Sequence, residues 1–146
     1  ELNRLVLLKK EKNLASFFVS QCFKYIKKEN LIIISYSDSG MFHNGYIYQA
    51  LNFYFTGTTK ERTDKYTPPG KHSRHYTNEF KHLRKVRTPK NRYVYFNCDK
   101  QHKKYYLNNL KYDILEYPKK QNIDYILGTK IKTKIINNET KDIYWE

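Results

Sequence analysis

An α/β fold, with a mixed, partly parallel sheet flanked by helices, is what the sequence predicts. Short β-branched runs alternate with segments of helical period through the first 56 residues. At 146 residues the chain has room for one domain with a modest core. Aromatic residues make up 16% of it, fifteen Tyr among them, which separates it from a disordered basic tail.

Residues 1–8, ELNRLVLL, read as a strand ending in Leu5-Val6-Leu7-Leu8. A charged loop follows, and residues 15–28 form a helix in which Phe18, Cys22 and Ile26 recur at i, i+4 and i+8, with Val19 and Phe23 beside them. Residues 31–34, LIII, are too short and too uniformly apolar for anything but a strand buried on both faces. Asn44 and Gly45 start a second short helix over 46–52, and 53–56 is extended. Strand, helix, strand, helix, strand is the order that predicts the fold.

Residues 58–91 show no period of either kind and read as a long basic loop; they hold Pro68, Pro69 and Pro89. A strand over 92–97, RYVYFN, leads to Asp99, which can cap a basic helix over 100–110 with Tyr106, Leu107 and Leu110 facing inward. Residues 112–117 are extended and end at Pro118, and the Lys- and Asn-rich tail from 129 carries a late strand. The domain is thus placed at 1–128 and a C-terminal extension at 129–146. A chain that opens on an apolar strand without Met would expose a sheet edge. The expectation is a C-terminal portion of a longer protein, its first strands missing or supplied by a second copy or a partner chain.

The formal net charge is +14, from 28 Lys and Arg against 14 Asp and Glu. Residues 60–92 hold eleven Lys and Arg against Glu61, Asp64 and Glu79, so more than half of that excess is concentrated there. Clustered positive charge predicts a polyanionic partner, with nucleic acid first and a membrane surface second. Arg74, Lys81, Arg84, Lys85, Arg87 and Arg92 are the residues expected to neutralise phosphates, with Tyr66 and Tyr76 as stacking faces for an extruded base. His72 and His75 have a spacing that can serve a metal, but in a basic loop they are more simply exposed or phosphate contacts. Cys22 and Cys98 stand in apolar surroundings without metal-type neighbours and read as buried thiols of a reducing compartment. No apolar run is long enough to span a bilayer and no signal-peptide pattern appears, so a cytoplasmic protein without a membrane partner is expected.

The residues most suited to chemistry lie between 31 and 57. Ser35-Tyr36-Ser37-Asp38 puts polar groups at the carboxyl end of an apolar strand, where ligands of open α/β sheets collect. Asp38 either caps the next turn or orients and deprotonates a substrate. In the segment that follows, His43-Asn44-Gly45-Tyr46-Ile47-Tyr48, Tyr46 and Tyr48 are ~200° apart on a helix, so one phenol should reach a cleft. Tyr48, ten residues after Asp38, is the better candidate to donate to a leaving group; the alternative is a buried ring with a satisfied hydroxyl.

The segments ELNRL, KNLASFFVSQCFKYIKK, LIIISYSDSGMFHNGYIYQALNFYFTG, PKNRYVYF and YDILEYPKK resemble, in that order, the Mom family of phage and prophage DNA adenine-modifying proteins. The resemblance covers residues 1–120, and its most specific part is SYSD followed by H-x-G-x-x-Y-Q-A-x-N-F-x-x-x-G. It implies an acetyltransferase-like (GNAT) fold whose N-terminal strands lie outside this sequence. It also implies transfer of an acetyl-CoA-derived group to adenine N6 of double-stranded DNA as a carbamoylmethyl derivative that protects the DNA from restriction, with an iron ion implicated. Carried over residue by residue, Asp38 and Tyr48 match the acidic and phenolic residues of the family's active site, with His43 beside them. Arg4 matches an arginine on the strand facing the acyl donor. Ser16 stands where a donor pyrophosphate would meet a helix N-terminus, whose free N–H groups suit anions. Lys12, Asn13 and Asn52 complete the donor-binding set. The chain has no glycine over residues 9–16, where an acetyltransferase has a Gly-rich loop. Asn13 can tolerate positive φ there, and Lys9, Lys10 and Lys12 can hold phosphates by charge. Two other classes compete: an acyltransferase acting on a protein or small amine, and a non-catalytic DNA-binding or anti-restriction module.

Overall fold

The structure, a computed structural model, describes residues 1–3, 5–9, 11–119 and 132–146. The chain divides into two compact units, Glu1–Thr59 with Lys90–Ile123, and Lys60–Pro89 with Asp124–Glu146.

The first unit is built on a three-stranded sheet of β1 (Leu31–Asp38), β2 (Tyr54–Thr58) and β5 (Lys90–Asn97), in the order β1-β5-β2. Both pairings are antiparallel, so the sheet is not the partly parallel one that strand–helix alternation predicts. The reason is topological: β5, which arrives from the other unit, inserts between β1 and β2 and runs against both. Alternation along β5 divides the core. Tyr93 and Tyr95 face helix α1 (Leu14–Tyr25) and the short helix α2 (Tyr46–Ala50), among Val19, Phe23, Ile33, Phe53 and Phe55. Val94, Phe96 and Cys98 face helix α3 (Lys100–Asn108), meeting Tyr106, Leu107 and Leu110, the inward face expected from sequence. Asp99 caps α3, accepting from His102 N at 2.8 Å.

Four further expectations change. The described residues among 1–8 form no strand; Leu2 N donates to Ile34 O at 3.0 Å, and Leu2 and Leu5 pack on the core. β1 runs on through Ser35-Tyr36-Ser37-Asp38 and alternates, with Ile33, Ser35 and Ser37 buried but Leu31 and Ile32 exposed. α1 turns Val19 and Phe23 to the sheet and leaves Phe17, Phe18 and Cys22 exposed. Apolar residues lie on several sides of that helix, so periodicity alone does not select the buried stripe. Cys98 is buried as expected; Cys22 is not.

The second unit corrects the expectation of a long loop. Residues 58–91 contain β3 (Arg62–Lys65) and β4 (Leu83–Arg87), which join β6 (Lys134–Asn137) and β7 (Ile143–Trp145) in an antiparallel sheet of order β3-β4-β6-β7. The C-terminal extension is therefore part of this unit. Charged residues occupy most positions of β3 and β4, so the alternation that marks a strand is lost in them. Among the described residues, no helix is long and apolar enough to cross a membrane.

Candidate functional site

The turn after β1 is held in place from three sides. The Asp38 side chain accepts from Gly40 N at 3.0 Å and caps the single 3-10 turn Ser39–Met41, the capping role foreseen as one alternative. His43 N donates to Asp38 O at 3.1 Å. From β5, Asn91 Nδ2 donates to His43 O at 3.5 Å and the Tyr93 hydroxyl donates to Asn44 O. From α2, Gln49 Nε2 donates to the same Asn44 carbonyl at 2.8 Å and lies 3.4 Å from the Tyr93 oxygen. Asn44, Asn91 and Tyr93 are all buried. A buried carbonyl that takes two donors is fully satisfied, and such a network fixes one loop geometry. The buried Ser37 hydroxyl lies beside it and makes no well-aligned hydrogen bond among the described residues. Burial raises the Tyr93 phenol above its ordinary pKa, an effect opposed by the Gln49 hydrogen bond.

Asp38 and Tyr48 both hang from this turn. Asp38 and Tyr48 are half-buried, whereas His43 is exposed. The Tyr48 ring packs on those of Phe53 and Tyr93, with centroids 5.4 and 5.2 Å away. Tyr46, on another side of α2, is 49% exposed and lines an open hollow with Gln49 and Tyr117. Of the two phenols, the one turned to the core is thus Tyr48. Gln49, Asn91 and Tyr93 are the residues that sequence reasoning missed. Gln49 stood inside the specific motif, and a polar residue just ahead of a run of aromatics was the only signal for Asn91.

A separate cleft of about 720 Å³, within the range of ligand sites, runs along α1. Asn13, Ser16 and Asn52 line it together, three of the four residues expected to bind a donor; Lys12 does not line it. Asn13 and Asn52 adopt φ of 63° and 59°, left-handed conformations that Asn tolerates better than other side chains. Asn13 thus supplies without glycine the positive φ at the start of α1. The Ser16 hydroxyl donates to Asn13 O at 3.0 Å. Lys24, Lys27 and Lys103 contribute amines, no carboxylate lines the cleft among the described residues, and the first turn of α1 carries no acid. Such a cleft favours an anion. Cys98, at its wall, has its thiol pKa raised by burial and then by Asp99, the opposite of an activated nucleophile. The register sets Asn97 opposite Leu31 and Lys90 opposite Asp38. Asp38 and the Asn97 wall of the cleft therefore stand at opposite ends of β5, about 24 Å apart at the usual rise per residue. Arg4 and Lys10 lie outside the described residues.

In the second unit, Arg84, Lys85 and Arg87 lie on β4, and Arg74 and Lys81 are exposed on the connection before it. The β3–β4 register puts Arg62 directly opposite Arg87 and Lys65 directly opposite Arg84. Like charges at such positions repel; Asp64, directly opposite Lys85 and in an ion pair with Arg87 at 3.2 Å, offsets them in part within the hairpin. Tyr66 is not a free stacking face: it is buried, with its hydroxyl on the Glu146 carboxylate at 3.0 and 3.1 Å. Tyr76 lies under Lys65 Nζ, 4.5 Å from the ring centre. Arg92 belongs to the first unit, where it donates to Thr56 Oγ1 and O at 2.9 and 2.7 Å and covers the Tyr112 ring at 3.4 Å. Those contacts tie β2 to β5. His72 Nδ1 accepts from Arg74 N at 3.2 Å. Among the described residues, no three His, Cys, Asp or Glu side chains come together in a way that could hold a metal ion.

Compared with known proteins, residues 1–119 match the model of the Mom protein family. No curated protein and no solved structure matches the chain.

Proposed function

The chain belongs to the Mom protein family, phage DNA-modification proteins, and from that premise we propose that it is an acetyltransferase-like enzyme that modifies adenine N6 in duplex DNA with an acyl-CoA-derived group. The observation that carries the donor half of this proposal is the cleft along α1. It combines a helix start free of acids, two Asn at positive φ and three Lys amines. That is the chemistry a nucleotide with several phosphates requires. Coenzyme A is a long molecule, with its phosphates at one end and its thioester at the other. A length of this kind suits a cleft wall and an Asp38 turn at opposite ends of one strand.

In this proposal Asp38 orients the adenine amine and accepts its proton as the bond from N6 to the acyl carbon forms and the donor's thioester C–S bond breaks, while Tyr48 gives a proton to the departing coenzyme A thiolate. His43, exposed beside them, faces incoming DNA. Arg4 serves the donor, and the cationic hairpin β3–β4 holds phosphates. The cross-strand like-charge pairs support a polyanionic partner, since phosphates relieve a repulsion that the free protein retains.

Nucleoside mass spectrometry of DNA from cells expressing the full chain tests the proposal. Adenine carrying an added group is expected with the wild type and absent with Asp38→Ala or Tyr48→Phe. Unmodified adenine with a folded wild type, in cells supplied with acyl-CoA, overturns it. Transfer of labelled acetyl groups to protein but not to DNA would point instead to an acyltransferase acting on protein amines.

A further inference from the structure

The C-terminal hairpin β6–β7 lies outside the 1–119 span matched by the family, yet it supplies half of the second unit's sheet. The register sorts its side chains by face. Lys65 is opposite Arg84, Arg84 opposite Ile136, Ile136 opposite Ile143, and Lys134 opposite Trp145. Directly opposed residues share a face, and so do residues two apart in a strand. One face therefore carries Lys65, Arg84 and Lys134 beside Trp145. Of the acids in and beside the strands, Asp64 lies on the other face, paired with Arg87, and the Glu146 carboxylate holds the Tyr66 hydroxyl; Glu61, just ahead of β3, is the acid in step with this face in sequence. Trp145 is 63% exposed and Ile143 53%, at the edge strand of the sheet. A large aromatic that contributes little to the core, next to three cations on one face, has the composition of a stacking platform for nucleic acid.

We propose that this face docks a DNA strand, its phosphates on Lys65, Arg84 and Lys134 and an unpaired base stacked on Trp145. The proposal rests on DNA being the substrate and adds a contact that the family-matched part of the chain does not contain. The C-terminal extension then holds or senses a displaced base while the target adenine is exposed.

Trp145 is the chain's single tryptophan, so its emission reports on this face alone. The test titrates the full chain with a duplex oligonucleotide carrying one unpaired adenine. Binding is followed by anisotropy of a label on the DNA and, in a separate unlabelled titration, by tryptophan emission. Quenching that saturates with the anisotropy change is expected. Trp145→Ala should weaken binding about tenfold, Trp145→Phe should keep most of the affinity, and a fully paired duplex should quench less. Binding by anisotropy with unchanged tryptophan emission, or with Trp145→Ala equal to wild type, overturns the proposal and leaves the DNA reading standing. Absence of any binding to either duplex at low salt overturns both.

Discussion

Gly45 lies so close to Tyr93 that a Cβ at position 45 would stand 2.6 and 2.8 Å from two carbons of the Tyr93 ring, and 2.9 Å from the Tyr48 ring. Its φ of 72° adds a backbone reason for glycine at the same place. The turn from Asp38 to α2 can pass over the central aromatic of the sheet only because this residue has no side chain. Gly45→Ala should therefore cost about 2–4 kcal/mol, from left-handed strain and overpacking together. Urea unfolding measures it. A cost under about 0.5 kcal/mol, the size of an ordinary surface change, would mean that the turn relaxes freely and is not fixed over the Tyr93 ring.

The Tyr93 hydroxyl gives a second handle on the same turn. Tyr93→Phe removes one of two donors to the Asn44 carbonyl, and a loss of about 1–2 kcal/mol is expected. Burial raises the phenol pKa of Tyr93, and also of Tyr66 and Tyr117. A phenol whose folded pKa lies above its unfolded value of 10.0 favours the folded state at every pH below that value. The contribution is then lost as pH rises from the unfolded pKa through the folded one. Unfolding free energy should thus be flat in this respect up to about pH 10 and fall above it, with a shallower fall for Tyr93→Phe. An unchanged alkaline slope in that variant would show that Tyr93 does not carry the effect.

How much of this was legible in the sequence differs from element to element. The run at 31–34, the aromatics of 92–97 and the Asp99 cap are local signals, and the structure places strands and a capped helix there. Positive φ at Asn13 was legible for a similar reason, because it depends on one residue type. Strand order was not, since the insertion of β5 between β1 and β2 is a long-range fact that no local period records. The buried stripe of α1 was misassigned because Phe17, Phe18, Val19, Cys22 and Phe23 surround much of the helix. Arg92 looked like one more cation of a basic cluster; only the fold reveals Thr56 and Tyr112 around it. β3 and β4 were hidden by the same charge that pointed to DNA.

The cleft along α1 makes a prediction that separates charge from shape. Lys27→Ala and Lys103→Ala should each weaken acetyl-CoA binding several-fold in calorimetry at low salt, and less at high salt, since partly exposed amines are screened. Asn13→Gly should bind as wild type because glycine accepts the same φ, whereas Asn13→Ala should lose about 1 kcal/mol of stability. Equal binding by all of these variants would remove the cleft as the donor site while leaving the turn at Asp38 untouched.

The β3–β4 hairpin predicts that stability and DNA affinity move in opposite directions. Arg62 faces Arg87 directly across the strands, so Arg62→Glu replaces repulsion with attraction. A gain of about 0.2–1 kcal/mol in unfolding free energy is expected, the usual size for such a pair. Affinity for duplex DNA should fall, and the dependence of log K on log salt should become shallower by about one unit or slightly more, since a phosphate contact is lost and a carboxylate added. Opposite signs in the two measurements identify the like-charge register as a cost retained for function. If Arg62→Glu lowers both stability and affinity, the arginine is a structural member of the hairpin and the repulsion is already relieved within the free protein.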